Sequence, residues 1–162
     1  MVMDGRIAAM IAENYKENPT YLSGDEFLAQ VKDGVDEFTG FLIDFSKVKD
    51  IPDSFDRLKI YQCVIVNFHP QEHSPMFTDC LFSMSMFFYA DLSGAMFQNC
   101  MFHGVKFVGV NPEDRDTKEE NPFAHGSLHT AVFRESFIWF VEFIDMNMLG
   151  VSFDRSDLFD AD

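Results

Sequence analysis

The chain has few basic residues and no long apolar run. Twelve lysines and arginines stand against 27 acidic residues, which gives a formal net charge of −15 at neutral pH. This acidic excess opposes direct binding to nucleic-acid phosphates and to anionic membranes, and it favours basic partners. No stretch of about 18 apolar residues could span a bilayer. The start of the sequence, with Asp4, Arg6 and Glu13, lacks the apolar stretch of a secretory signal. We therefore expect a cytoplasmic protein.

Motifs for catalysis and metal binding are also scarce. The cysteines form no C-x-x-C pair and are odd in number, so we expect reduced thiols: Cys63, Cys80 and Cys100. Two H-x-x-x-H spacings could place metal ligands on one helix face, but Pro70 interrupts the first and Gly126 the second: His69/His73 and His125/His129. The sequence contains no G-x-S-x-G motif and no glycine-rich phosphate loop. We predict a protein with no catalytic residues, no metal and no cofactor.

Phenylalanine, by contrast, is abundant, and much of it recurs every five residues. From Cys80 the chain reads CLFSM, SMFFY, ADLSG, AMFQN, CMFHG, VKFVG; from Ala131 it reads AVFRE, SFIWF, VEFID, MNMLG, VSFDR, SDLFD. A more degenerate block starts at Ile43 and reads IDFSK, VKDIP, DSFDR, LKIYQ, CVIVN, FHPQE. A period of five fits neither an α-helix nor an ordinary strand. It predicts a solenoid with five-residue sides, in which residues twenty apart stack at about 4.8 Å.

The third position of these pentads is predicted to fill the axis of the solenoid. Sixteen of its 18 residues are large and apolar, where the composition would supply about eight by chance. The 18 residues are Phe45, Asp50, Phe55, Ile60, Ile65, Pro70, Phe82, Phe87, Leu92, Phe97, Phe102, Phe107, Phe133, Ile138, Phe143, Met148, Phe153 and Leu158. The first position is mostly small or β-branched, so it can close the corners. Cys80 and Cys100 then lie one coil apart at the same corner.

The pentads ADLSG and AMFQN resemble the A-(D/N)-L-x-x pattern of the pentapeptide-repeat family. The resemblance covers about residues 43–110 and 131–162. It implies an all-β fold, a right-handed quadrilateral β-helix. It also implies a range of functions, because the family includes topoisomerase modulators and members thought to imitate DNA.

The chain is predicted to have an N-terminal helical cap at 1–42 and a β-helix at 43–162. The β-helix consists of blocks 43–72, 80–110 and 131–162, with an acidic loop insertion at 111–130. Helical spacing of Ile7, Ile11 and Tyr15, and a capping box from Ser23 to Glu26, indicate two helices. We expect them to cover the open N-terminal end of the coil. A separate functional domain is the alternative.

An outward aromatic cluster predicts a dimer interface: Phe137, Trp139 and Phe140. Other outward apolar residues are Met84, Met86, Phe88, Tyr89, Met96, Met101 and Ile144. The alternative is that the N-terminal helices or the insertion cover these side chains.

Acidic residues of the insertion and of the last block predict a partner-binding surface. They are Glu113, Asp114, Asp116, Glu119, Glu120, Glu135, Glu142, Asp145, Asp154, Asp157 and Asp160. The net charges of residues 1–42, 43–110, 111–130 and 131–162 are −5, −2, −3 and −5. The repeat blocks hold about half the charge density of duplex DNA, whereas the last block alone matches it. The insertion is either a binding element or an inert loop.

The sequence therefore predicts a non-enzymatic protein that binds a DNA-binding enzyme through an acidic surface, as a DNA mimic. Family resemblance favours a topoisomerase as the target, and next a nucleic-acid-handling defence complex targeted by a phage or mobile element. The alternative is an interaction module or scaffold without mimicry.

Overall fold

The computed structural model describes residues 5–109 and 126–162. Two helices occur in this part of the chain, α1 at Gly5–Asn14 and α2 at Gly24–Lys32. The strands are, in chain order, β1 Thr20–Ser23, β2 Glu37–Thr39, β3 Phe41–Asp44, β4 Ser54–Asp56, β5 Lys59–Tyr61, β6 Val64–Val66, β7 Met76–Thr78, β8 Leu81–Ser83, β9 Met86–Phe88, β10 Met96–Gln98, β11 Met101–His103, β12 Lys106–Val108, β13 Val132–Arg134, β14 Phe137–Trp139, β15 Glu142–Ile144, β16 Ser152–Asp154 and β17 Asp157–Phe159.

The strands form three parallel sheets that are sides of one four-sided coil. Sheet 1 has the order β1-β3-β6-β9-β12-β15, sheet 2 is β4-β7-β10-β13-β16, and sheet 3 is β2-β5-β8-β11-β14-β17. The fourth side contributes the isolated parallel bridges Asp91–Ser127 and Ser127–Asn147. The chain is therefore an all-parallel β-solenoid of about six turns, as the sequence predicted.

Successive coils differ in length, and this explains the breaks in the repeat. Ile43 pairs with Ile65, 22 residues later, and Phe55 pairs with Phe77 at the same spacing. Each later coil has 20 residues, as between Phe77 and Phe97. The exception is the coil with the insertion, where Phe97 pairs with Phe133 after 36 residues. Sixteen residues are thus added to one coil without changing the pairing on its three sheets.

Aromatic rings stack along the axis of the coil. On sheet 2 the centroids of Phe55, Phe77, Phe97, Phe133 and Phe153 follow one another at 5.1, 4.9, 4.7 and 5.2 Å, with interplanar angles of 12 to 17°. This spacing is close to the rise between parallel strands, so backbone pairing and ring stacking reinforce each other. The axial column on sheet 3 holds Phe38, Ile60, Phe82, Phe102, Ile138 and Leu158.

Two predicted axial residues are wrong, and several axial residues were missed. Asp50 is exposed and Pro70 is half-buried, whereas Phe38 and Phe77 are buried on the axis. Phe45 is buried, but Ile43 is the residue that pairs along sheet 1. The wrong axial predictions are caused by the 22-residue coils, because two extra residues in each shift the phase of a strict five-residue count.

The two helices cover different surfaces of the coil. Helix α2 begins with the predicted capping box of Ser23 and Glu26, and its Phe27 ring lies 4.6 Å from Phe38 and 5.8 Å from Phe45. It therefore closes the N-terminal end of the axis, as expected. Helix α1 does not, and this part of the prediction is wrong. Its buried Ile7 and Ile11 belong to a second apolar cluster on the outer surface of sheet 1.

The sheets begin before residue 43. Strand β1 pairs with β3, and β2 pairs with β5. The segment predicted as a helical cap therefore also supplies strands of the solenoid. The domain boundary at residue 42 stays a prediction, but it does not separate helices from strands. Neither described helix is long and apolar enough to cross a membrane.

Candidate protein-binding surface

Sheet 3 carries an exposed apolar surface on its outer side. The second and fourth residues of each five-residue side, together with the fifth residue at the turn, point away from the axis. Parallel pairing aligns them in columns along the coil. We call the part of this surface from β5 to β17 the aromatic face; it consists of Lys59, Tyr61, Gln62, Leu81, Ser83, Met84, Met101, His103, Gly104, Phe137, Trp139, Phe140, Asp157, Phe159 and Asp160.

The exposure of the aromatic face is high for large apolar side chains. Relative exposures are 39% for Met101, 41% for Phe137, 45% for Phe140, 49% for Met84 and 58% for Phe159. They lie on neighbouring strands and turns, so they form one continuous patch. A contiguous apolar patch of this kind is typical of an interaction surface, whereas single exposed apolar residues are not informative.

Edge-to-face ring contacts organise the C-terminal half of the face. The rings of Phe137 and Trp139 lie 5.7 Å apart, Phe140 and Phe159 5.4 Å apart, and His103 and Phe140 5.7 Å apart. Trp139 is half-buried, and its Nε1 is buried without a hydrogen-bond acceptor among the described residues. The predicted dimer residues are thus brought together, and Leu81 and Phe159, which the sequence analysis did not select, extend the patch.

Two exposed apolar residues occupy turn positions that the fold does not require to be apolar. Met84 and Phe140 have positive φ angles of 51° and 54°. Gly104, the turn residue in the coil between them, adopts a φ of 63°. Because glycine fits this backbone with less strain, the large side chains on either side are not needed to form the turn. Within the chain the Met84 side chain lies over Gly104, and Phe140 contacts His103 and Phe159. A contact outside the chain would cover the parts of both side chains that stay exposed.

The outer surface of sheet 1 is also apolar, but α1 covers it. Met86 and Phe88 are buried there and Ile144 packs against the same cluster, which also contains Ile7 and Ile11 of α1. For these residues the alternative interpretation, cover by an N-terminal helix, is confirmed.

Three side-chain hydrogen bonds hold the two ends of α1 against the coil. Arg6 Nη1 donates to the carbonyl oxygen of Gly109 at 2.6 Å, and Arg6 Nη2 donates to Asp145 at 2.6 Å. Near the other end, the Tyr15 hydroxyl donates to the carbonyl oxygen of Met84 at 2.7 Å. The apolar part of sheet 1 beneath α1 is therefore occupied within the chain, whereas sheet 3 presents the exposed rings of Phe137, Phe140 and Phe159.

Most of the described acidic site residues form ion pairs. Of the six predicted in the last block, four have a basic partner within 4 Å: Asp145 with Arg6 at 2.6 Å, Glu142 with Lys106 at 2.7 Å, Asp154 with Arg134 at 3.0 Å, and Glu135 with Arg155 at 3.6 Å. Asp157 and Asp160 are exposed and form no ion pair with any described residue. The other five, Glu113, Asp114, Asp116, Glu119 and Glu120, lie outside the described residues.

Net charge and local charge therefore differ in the last block. The described residues carry a net −11, because Asp4 and the segment 110–125 hold the remaining −4. Residues 126–162 account for −5 of this. Each paired carboxylate has a cation beside it, so the two opposite charges partly cancel. This weakens the negative potential that an approaching protein meets. The unpaired carboxylates of Asp157 and Asp160 lie on the aromatic face.

Metal-binding groups and space on the axis are both scarce among the described residues. Among them, no group of three or more His, Cys, Asp or Glu could hold a metal. His69 Nε2 lies 2.6 Å from the carbonyl oxygen of Tyr89, and the partner of His129 in the second predicted spacing, His125, is outside the described residues. Space among the axial rings amounts to about 20 Å³, far below the several hundred Å³ typical of ligand sites.

The three cysteines are free and buried. Burial raises the pKa of Cys63 to about 11. A hydrogen bond to Cys80, together with burial, raises the pKa of Cys100. These two thiols are therefore protonated at neutral pH and weakly nucleophilic. Cys80 and Cys100 lie at the same corner on neighbouring coils, as predicted, because Met101 N donates to the carbonyl oxygen of Cys80 at 2.9 Å.

Comparison with known proteins supports the repeat pattern. Residues 77–111 match the family model of pentapeptide repeats, with eight copies. No curated protein matches the chain. Among solved structures, the pentapeptide repeat protein Rfr23 from the cyanobacterium Cyanothece 51142 has 8% identity and a TM-score of 0.21, over 77% of this chain and 62% of that chain. QnrB1, a plasmid-mediated fluoroquinolone resistance protein, has 14% identity and a TM-score of 0.27, over 91% of this chain and 69% of that chain.

Proposed function

We propose that the chain is a non-enzymatic protein-binding module that contacts its partner through the aromatic face. The match to pentapeptide repeats at residues 77–111 supports this proposal. The observation that carries this proposal is the continuous exposure of Met84, Met101, Phe137, Phe140 and Phe159 on sheet 3. Aromatic and methionine side chains are enriched in protein interfaces, because they bury much area at a small loss of conformational freedom.

The rigidity of the solenoid supports a binding role. Each outward residue of sheet 3 belongs to a three-residue strand whose central side chain is locked on the axis; Phe82 and Phe102, for example, are stacked 5.1 Å apart. The face is thus held in one arrangement before a partner arrives. A preorganised surface loses little entropy on binding, so a small face can bind specifically.

A matched pair of methionines tests the proposal. Met101 on sheet 3 and Met76 on sheet 2 both occupy the second position of a side, and their exposures are 39% and 43%. We expect Met101→Glu to abolish capture of a partner from cell lysate by the immobilised chain, because it places a carboxylate at the centre of the apolar contact. Met76→Glu should capture as the wild type does. Equal capture by both variants would place the binding site elsewhere.

A second candidate function is DNA mimicry directed at a DNA-binding enzyme, either a topoisomerase or a nucleic-acid-handling defence complex. The net charge of −11 in the described residues favours it, as do the unpaired carboxylates of Asp157 and Asp160. The four ion pairs of the last block count against a uniform phosphate-like surface, because each pairs a carboxylate with an arginine or lysine. In this case the acidic surface, rather than the aromatic rings, would supply most of the attraction.

A further inference from the structure

The second-position column of sheet 3 carries a lysine near one end and an aspartate at the other. Its residues are Glu37, Lys59, Leu81, Met101, Phe137 and Asp157, in successive coils. A carboxylate and a lysine therefore begin the column, three apolar residues follow, and a second carboxylate ends it. Lys59 and Asp157 are both exposed, and neither forms an ion pair with a described residue.

The part of this column from Lys59 to Asp157 is complementary to itself when it is reversed about Met101, and Glu37 then lies beyond the partner's last strand. We propose that the partner at the aromatic face is a second copy of this chain, bound face to face with the two coils antiparallel and the two-fold axis along β11. The inference rests on the proposed function of this face. A two-fold axis parallel to the strands leaves each column opposite itself and reverses the order of the coils. Strand β5 then faces the partner's β17, and β8 faces the partner's β14.

The second-position and turn columns match in this arrangement. Lys59 faces the partner's Asp157, and Leu81 faces the partner's Phe137. In the turn column, which Gln62, Met84, Gly104, Phe140 and Asp160 form, Met84 faces the partner's Phe140 and Gln62 faces the partner's Asp160. The two exposed apolar turn residues, which the fold does not require, therefore cover each other. Gly104 lies on the axis, and the Met84 side chain of its own chain lies over it.

The fourth-position column is compatible with the same register. Tyr61 faces the partner's Phe159, and Ser83 faces the partner's Trp139. His103 lies on the axis, beside Phe140 in its own chain. No carboxylate or lysine of the face is buried against an apolar residue in this register.

Registers shifted by one coil are less favourable. With the axis between β8 and β11, Glu37 would face the partner's Asp157, so that two carboxylates would meet, and Lys59 would lie on Phe137. With the axis between β11 and β14, Asp157 would lie against Leu81. A two-fold axis parallel to the coil would place Asp157 against Phe159. Each alternative leaves a charge without a counter-charge, which costs free energy at an interface.

The size of the face sets the expected affinity. Five strands at about 4.8 Å spacing give a length of about 24 Å, and four residues give a width of about 13 Å. This is smaller than a standard protein interface, which buries about 800 Å² per partner. The dimer should therefore be reversible, with a dissociation constant on the order of tens of micromolar.

Charge reversal at the two ends tests the arrangement. Sedimentation equilibrium of the full chain should show a monomer–dimer equilibrium for the wild type. Lys59→Glu and Asp157→Lys should each weaken dimerisation by about tenfold, because the pair occurs twice in a two-fold dimer. The double variant K59E/D157K restores the pair with its signs exchanged, so its dissociation constant should return to within about threefold of the wild type. Lys49→Glu, an equal change of charge at an exposed residue outside the sheets, should have no effect.

Two results would overturn the inference. One is a wild type that stays monomeric at about 1 mM, well above the expected dissociation constant; the other is a double variant that dimerises no better than the two single variants. Capture of a partner from cell lysate by the Met101→Glu and Met76→Glu variants distinguishes a failure of the dimer from a failure of the proposed function. If the wild type is monomeric but Met101→Glu alone loses a partner, the face binds a different protein, so the dimer is wrong and the binding function stands.

Discussion

Phe97 offers the most direct measure of how much the axial stack contributes to stability. Its side chain is fully buried, and its ring lies 4.9 Å from Phe77 and 4.7 Å from Phe133, with interplanar angles of 12° for both pairs. Its edge also contacts Phe102 at 5.2 Å. Phe97→Ala removes all three ring contacts and leaves a cavity. Its neighbours cannot collapse into this space, because each is held by backbone pairing to the next coil.

The expected cost of Phe97→Ala is about 3–5 kcal/mol, and the three aromatic contacts place it at the upper end of that range. For a chain of this length the melting temperature should fall by roughly 6–20 °C. Phe137→Ala is the matched control, because Phe137 is 41% exposed and should cost less than about 1 kcal/mol. Urea unfolding followed by far-UV circular dichroism measures both. Equal losses for the two variants would show that the axial stack is not the main source of stability.

Three further variants test other features. Phe77→Ala should cost about 3–5 kcal/mol although the sequence pattern left it off the axis, whereas Pro70→Ala should cost less than about 1 kcal/mol; a urea titration that ranks them in the opposite order would contradict the observed register. Ile11→Asp should detach α1 from sheet 1, because it buries a carboxylate in an apolar contact. Binding of a hydrophobic dye should then rise while the β-signal in circular dichroism stays, and unchanged dye binding would mean that α1 does not protect this surface. If the protein imitates DNA, replacing Asp157 and Asp160 with Asn should weaken binding to a DNA-binding enzyme, which competition with duplex DNA can measure; undiminished competition would exclude these residues from the contact.

The axial residues of the later coils were predictable from the sequence, whereas those of the first coils were not. From Phe82 to Phe107 every fifth residue lies on the axis, as predicted, because no residue is added between the sides. Pro70 was a wrong axial prediction because the coil that begins at Phe55 has 22 residues. Phe77 lies five residues before Phe82, in phase with the second block, and was missed because that block was predicted to begin at residue 80. A strict five-residue count cannot show where a side has extra residues. The fourth side, which forms only isolated bridges, has few backbone hydrogen bonds to fix its length.

Contacts along one column were also more predictable than contacts between distant segments. Arg134 and Asp154 occupy the same column one coil apart, so their ion pair follows from the 20-residue period. The pair of Arg6 and Asp145 does not, because a helix outside the repeat supplies one partner. The helical period of α1 predicted a helix with one apolar side, but not which sheet that side would cover. The outward apolar residues of sheet 1, such as Phe88, could have indicated this contact. A large apolar cluster on the outside of a sheet is normally covered by another segment.

A rise in salt concentration should have opposite effects on dimerisation through the aromatic face and on partner binding by DNA mimicry. Two copies of the chain carry −15 each, so their long-range repulsion opposes association through the aromatic face. Salt screens this repulsion within a Debye length of about 10 Å at 0.1 M. Raising NaCl from about 50 to about 500 mM should therefore strengthen dimerisation severalfold, even though it weakens the two ion pairs that set the register. A contact that imitates phosphates should weaken over the same range, because it depends on attraction to a basic groove. Sedimentation equilibrium and partner-binding titrations at both salt concentrations measure the two signs. A dimer that weakens with salt would mean that ion pairs, rather than the exposed aromatic rings, hold the two copies together.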